Sequence, residues 1–168
     1  ESTSAQIKAE DKVTVYYGKN ENALTTSGVD SAHAVLINMV GGLNAASEAK
    51  GSADCNVSIE EIIKWQPDFI LLSEANSDEK GQLQKLQSDP VWQKVKAVKN
   101  KKIYASPQLV FSWFDRPPCV NQLIGIEWLA GTLYPDYYKI DIKKEVKDFY
   151  KLFYNIDLSD EQINKIVQ

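Results

Sequence analysis

The chain has 168 residues, 43% hydrophobic and 25% charged, which are the length and composition of one ordinary globular domain. A net charge of −4 excludes a nucleic-acid binder built on a concentrated basic face, and the lysine run KVKAVKNKK (Lys94 to Lys102) reads as a solvated helix end and turn. No apolar run approaches the roughly 20 residues that span a bilayer.

Residues 1–12, ESTSAQIKAEDK, form a polar lead-in without the basic and apolar regions of a signal peptide. Two readings follow: a cytoplasmic protein, or a piece of a longer exported one. The first strong element is VTVYYG (Val13 to Gly18), a buried strand stopped by glycine. A small-residue loop, Leu24 to Gly28, precedes AHAVLINMVGG, where Ala32, Val35, Leu36 and Met39 recur at helical spacing and Gly41-Gly42 cap the end. His33, the one histidine, reads as a capping or solvent-facing residue and excludes a zinc site of clustered histidines. Cys55 and Cys119 are too few for a disulfide framework and lack metal-ligand spacing. No resident metal or cofactor is expected.

Ser58, with Glu61 three residues on, forms a capping box opening a short helix. Gln66-Pro67-Asp68 ends that helix, and FILLS (Phe69 to Ser73) is a continuous apolar strand of the kind found in parallel sheets covered on both faces. Ser77-Asp78 starts a further helix, Asp89-Pro90 starts a turn carrying Val91, Trp92 and Val95, and KKIYAS (Lys101 to Ser106) is the next strand. A long helix runs from about Pro117 to Tyr134. The tail holds an amphipathic helix, Asp141 to Asn155, with Ile142, Val146, Phe149, Leu152 and Phe153 on its apolar face. A short helix capped by Ser159 and Gln162 follows. Strand and helix alternate, which predicts an α/β, Rossmann-like, open and mainly parallel sheet of about four to five strands, with the C-terminal helices packed on it.

Ligands of such sheets sit beyond the carboxyl ends of the strands. Three loops qualify. Thr25, Thr26 and Ser27 are hydroxyl-rich and precede a helix, which suits an anion or equally a plain turn. Ser73 to Ser77 is polar without distinguishing features. Phe111, Trp113, Phe114 and Arg116 surround an Asp-Arg-Pro-Pro turn: either an aromatic site with a guanidinium of fixed aim, or core packing around an Asp115-Arg116 turn. GxGxxG, GxxxxGK[ST] and GxSxG are all missing, and a histidine-based triad would rest on His33 alone, so no enzyme is expected.

The segments NVSIEEIIKWQPDFILLS and FDRPPCVNQLIGIEWLAGTLYPD resemble the C-terminal lobe of ABC-importer substrate-binding proteins in which two α/β lobes are joined by one long helix. These carry ferric siderophores, haem, cobalamin and sometimes molybdate or tungstate. The YY-G, T-x-G and V-G-G-x-N elements between Tyr16 and Asn44 agree in order. The resemblance implies one lobe over residues 1–168, with 1–12 leading in from a linking helix that is missing together with the first lobe and the secretion signal. It implies an extracytoplasmic, monomeric binding module for an iron chelate, or alternatively for an oxyanion or cobalamin, delivered to an ABC permease and its ATPase. The membrane would be approached only through a lipid anchor or that permease. A cytoplasmic enzyme or metallochaperone using Arg116 and the Thr25-Thr26 loop is the alternative of another class. Thr25, Thr26, Ser27, Phe111, Trp113, Phe114 and Arg116 would face the ligand, and Glu60 would pair with permease arginines. The two thiols are expected to lie over different strands and to be free.

Overall fold

The computed structural model describes residues 3–28, 31, 34–49, 54–73, 79–114 and 119–167. The lead-in forms α1 (Thr3–Gln6) and a 3-10 turn (Ala9–Asp11). Then come β1 (Thr14–Gly18), β2 (Thr25–Ser27), α2 (Val35–Met39), β3 (Leu43–Asn44), β4 (Asp54–Asn56), α3 (Ile59–Trp65) and β5 (Phe69–Leu72). α4 (Glu79–Ser88), a 3-10 turn (Trp92–Lys94), α5 (Lys96–Lys99) and β6 (Ile103–Ala105) lead to the short strands β7 (Gln108–Leu109) and β8 (Phe111–Ser112). α6 (Asn121–Leu133), α7 (Ile142–Tyr154) and α8 (Asp160–Ile166) complete the chain.

The main sheet has four strands in the order β3-β1-β5-β6, and all three pairings are parallel. This is the expected α/β architecture. Side chains alternate along the central strands, as the period of two requires. Val15, Tyr17, Phe69 and Leu71 face one apolar layer, with α2, α6, α7 and α8. Tyr16, Ile70 and Leu72 face the other, with Ile62 of α3, Trp92, Val95 and Val98. Burial on both faces explains why FILL is apolar without a break.

The capping signals form as the residues dictate. Ser58 and Glu61 make the reciprocal box at α3, and Ser159 and Gln162 make the one at α8. Gln66 ends α3 in the left-handed conformation, and Asp89 Oδ1 accepts from the Val91 and Trp92 amides.

Several expectations are corrected. The loop around Thr25 is a strand, β2, paired antiparallel with β4, because the partner that makes it a strand lies in a distant stretch of sequence. In α2 the buried residues are Leu36 and Ile37, followed by Val40, while Val35 and Met39 are exposed. The helix is barely more than one turn long, and its phase is set by the sheet beneath it. In α7, Tyr150 is buried with Val146 and Phe149, whereas Leu152 and Phe153 are exposed. α6 begins at Asn121, later than Pro117, which lies outside the described residues, as do Ala32, His33 and Ser77-Asp78. The lead-in is docked: Ile7 is buried against Gly41, whose φ of +93° and close approach leave no room for a Cβ. Among the described residues no helix is long and apolar enough to cross a membrane.

Candidate functional site

The parallel strands bring Asn44, Lys19, Ser73 and Ser106 into a row, each at or just past the carboxyl end of its strand. Lys19 is the residue at this edge that sequence reasoning passed over. Its side chain is nearly buried (6% exposed), and its Nζ lies 2.8 Å from Asp54 Oδ1 of β4. The same carboxylate oxygen accepts from Ser27 Oγ at 2.9 Å. The Lys19 ammonium also stands 5.2 Å from the centre of the Tyr17 ring, a cation–π distance, and Asn44 Nδ2 donates to Ser27 O. A lysine directly after a buried strand is the one local signal that could have marked the cluster.

The three hydroxyl residues differ in burial and in their partners. Thr25 Oγ1, partly exposed, accepts from Asn20 Nδ2 and donates to Asn56 Oδ1. Thr26 and Ser27 are fully buried, and Thr26 Oγ1 has no hydrogen-bond partner among the described residues; nor has Ser106 Oγ at the end of β6. Such orphans are uncommon in folded proteins. Cys55 lies opposite Thr26, with its thiol on Thr26 O at 3.7 Å. Burial raises its pKa, and Asp54 and Glu61 raise it further. It and Cys119 are free thiols.

The aromatic segment divides as sharply. Trp113 and Phe114 belong to the core, at 0% and 1% exposure: Phe114 packs 4.7 Å from Tyr17, and Trp113 Nε1 donates to Tyr150 OH. α6 approaches so closely that a Cβ on Gly125 would stand 1.9 Å from Trp113 O. In this form neither ring has surface to offer a ligand. Phe111 is the exposed member, at the tip of the β7–β8 hairpin. Arg116 lies outside the described residues. Through Tyr17, which carries Lys19 on one side and Phe114 on another, the hydroxyl strand and the aromatic segment meet at one edge.

Glu60 is exposed in the first turn of α3, and its neighbour Glu61 is occupied by Ser58 N and Oγ. α3 returns the chain to the start of β5, so its first turn lies toward the carboxyl edge, where Val57 N donates to Leu24 O. No group of three or more potential metal ligands occurs among the described residues.

Residues 1–109 match the family model described as periplasmic binding protein. An ABC transporter solute binding protein from Sulfurospirillum deleyianum is 31% identical, with a TM-score of 0.88 over 98% of this chain and 50% of that one. A periplasmic solute binding protein from Veillonella parvula is 33% identical, with a TM-score of 0.80 over 98% and 51%. The molybdate-binding protein MolA of Haemophilus influenzae is 29% identical over 88% of this chain and 40% of its own length. The chain thus spans about half the length of the relatives it matches. With the family model matching residues 1–109 and this fold, the chain belongs to the periplasmic binding protein family.

Proposed function

We propose that this chain is the C-terminal lobe of a two-lobe, extracytoplasmic solute-binding protein that captures an anionic solute and delivers it to an ABC permease, without catalysis. The observation carrying this reading is the match of nearly the whole chain to half of a solute-binding protein at a TM-score of 0.88. Half a cleft gives one wall, so this lobe alone binds weakly.

Among solutes, a small oxyanion fits better than the iron chelate first expected. A flat ferric chelate or tetrapyrrole needs a broad apolar, aromatic-lined pocket, and Trp113 and Phe114 are withdrawn into the core. What remains at the edge among the described residues is the Lys19–Asp54–Ser27 cluster, Thr25 and one exposed aromatic, Phe111; the sequence adds Arg116, whose planar guanidinium suits an anion. The molybdate-binding relative favours the same solute class. Calorimetry on the two-lobe protein with molybdate, tungstate, sulfate, a ferric hydroxamate and haem tests this. Tight binding of molybdate or tungstate is expected; tight binding of the hydroxamate or haem alone overturns the oxyanion reading. Glu60→Ala is expected to leave solute affinity unchanged and to lower transport, since an interface charge acts on docking. Loss of solute binding would remove Glu60 from the docking surface.

A further inference from the structure

The β7–β8 hairpin reverses direction in a single residue, Val110, between the paired Leu109 and Phe111. Val110 has φ +67°, a left-handed conformation that is a genuine outlier for a β-branched side chain. Val110 and Phe111 are nonetheless both exposed, at 52% and 42%, so the core gains little from this geometry. Two strands of two residues cannot hold themselves together in water. Left alone, the hairpin would relax.

What holds it comes from two helices far along the chain. Asn121, fully buried at the start of α6, donates from Nδ2 to Leu109 O at 3.2 Å and to Phe111 O at 3.0 Å, grasping the backbone on both sides of Val110. Its Oδ1 accepts from Tyr154 OH of α7. Tyr150 OH, also from α7, donates to Leu109 O at 2.7 Å and accepts from Trp113 Nε1 at 2.7 Å. A buried polar network satisfied in this way rigidifies what it touches. Burial pushes the Tyr150 hydroxyl up to about 12, so it stays a proton donor at physiological pH.

Resting on the solute-binding reading above, we infer that Tyr150 and Asn121 are positioning residues. They touch no solute, but they lock the strained hairpin so that Val110 and Phe111 stand preformed at the cleft. A contact ordered in advance spares binding the entropy of ordering it. The C-terminal helix α7 thereby takes part in recognition from inside the lobe.

Amide hydrogen exchange on this chain supplies the first test, comparing wild type, Tyr150→Phe and a control, Tyr137→Phe, whose exposed hydroxyl bonds Asp11. The Trp113 and Phe114 amides close on Pro107 O and Ser112 Oγ. In Tyr150→Phe they should exchange about tenfold faster, the equivalent of one lost net hydrogen bond. The Ile70 amide, bonded to Lys102 O in the central sheet, should move much less, and the control should change neither. Unchanged hairpin amides, or equal acceleration of hairpin and sheet, overturn the inference. In the second test, molybdate dissociation from the two-lobe protein should be several-fold faster for Tyr150→Phe, and dissociation equal to wild type with a loosened hairpin also overturns it. If wild type does not bind molybdate, the oxyanion reading falls and the exchange comparison alone decides the positioning role.

Discussion

At the amino end of the main sheet, Asp68 accepts from Thr14 N at 2.8 Å, Thr14 Oγ1 at 3.0 Å and Lys96 Nζ, tying the starts of β1 and β5 to α5 with every partner in reach of water or backbone. At the carboxyl end, a lysine is buried on an aspartate, two hydroxyls lack partners among the described residues, and a valine is held left-handed at an exposed tip. Left-handed backbone occurs at both ends, at Gln66 and Lys101 as well as at Val110, so the difference lies in the polar side chains: Asp68 is fully used at the amino end, and the unpartnered hydroxyls collect toward the carboxyl end. One sheet thus separates the two arrangements by some four residues of strand.

The largest effect should come from closing the gap behind the carboxyl edge. Gly125→Ala drives a methyl into the Trp113 carbonyl, and we expect a loss of about 3 kcal/mol in denaturant unfolding, at the high end for overpacking. A near-neutral result would show that α6 can move away from the aromatic segment. Next, Asp54→Ala takes the shared acceptor from Lys19 and Ser27. The expected loss is about 2–3 kcal/mol, less than for a fully buried pair because Asp54 is partly open to water. Lys19→Met/Asp54→Leu should recover most of that stability without restoring solute affinity in the two-lobe protein. If it recovered both, the cluster would be packing alone.

At the amino end, Asp68→Ala should cost about 2 kcal/mol, the range for hydrogen bonds to a charged group. Burial alone would raise the Asp68 carboxyl, but the bonds from Lys96 and Thr14 outweigh it and hold it below the usual range. A depressed folded value means the contribution is present above the unfolded pKa of about 3.9 and is lost as pH falls further. Asp68→Asn should therefore flatten the acid limb of the stability profile below about pH 4, and an unchanged limb would place the acid-sensitive group elsewhere. The smallest effect is a gain: Val110→Gly removes the left-handed penalty and should stabilise the fold by about 1 kcal/mol, while slowing no step of unfolding at the amino end. A loss of stability would mean that the valine side chain has a packing role the exposed tip does not suggest.

Much of the scaffold was legible because its signals are local. The apolar runs at 13–18 and 69–73, the capping boxes at Ser58 and Ser159, and the turn at Asp89 each carry their cause within a few residues. The rest depends on partners far away in sequence. β2 is a strand only because Asp54–Asn56 lies beside it. Tyr150, with a polar tip, displaces Leu152 from the buried face of α7 because Trp113 and Leu109 satisfy its hydroxyl. The segment Phe111 to Phe114 could be read as a site or as packing, and it is divided: Phe111 lies outside and the other two aromatics inside, by virtue of a glycine eleven positions beyond Phe114 that admits close contact. Lys19 went unremarked because nothing in its neighbourhood announces Asp54.

Tyr134, which caps α6, has a consequence for the order of folding. Its hydroxyl accepts from Val13 N across 121 positions and donates to Gly41 O across 93, stitching the entrance of β1 and the end of α2 to the late part of the chain. Contacts of such separation are entropically slow to close, so we expect this stitch to form after the rate-limiting step. Tyr134→Phe should then leave the refolding limb of the chevron in place and steepen escape from the native state, raising the unfolding rate about fivefold or more for one lost hydrogen bond. The lifetime of the folded lobe, rather than the speed of reaching it, is what this one hydroxyl governs.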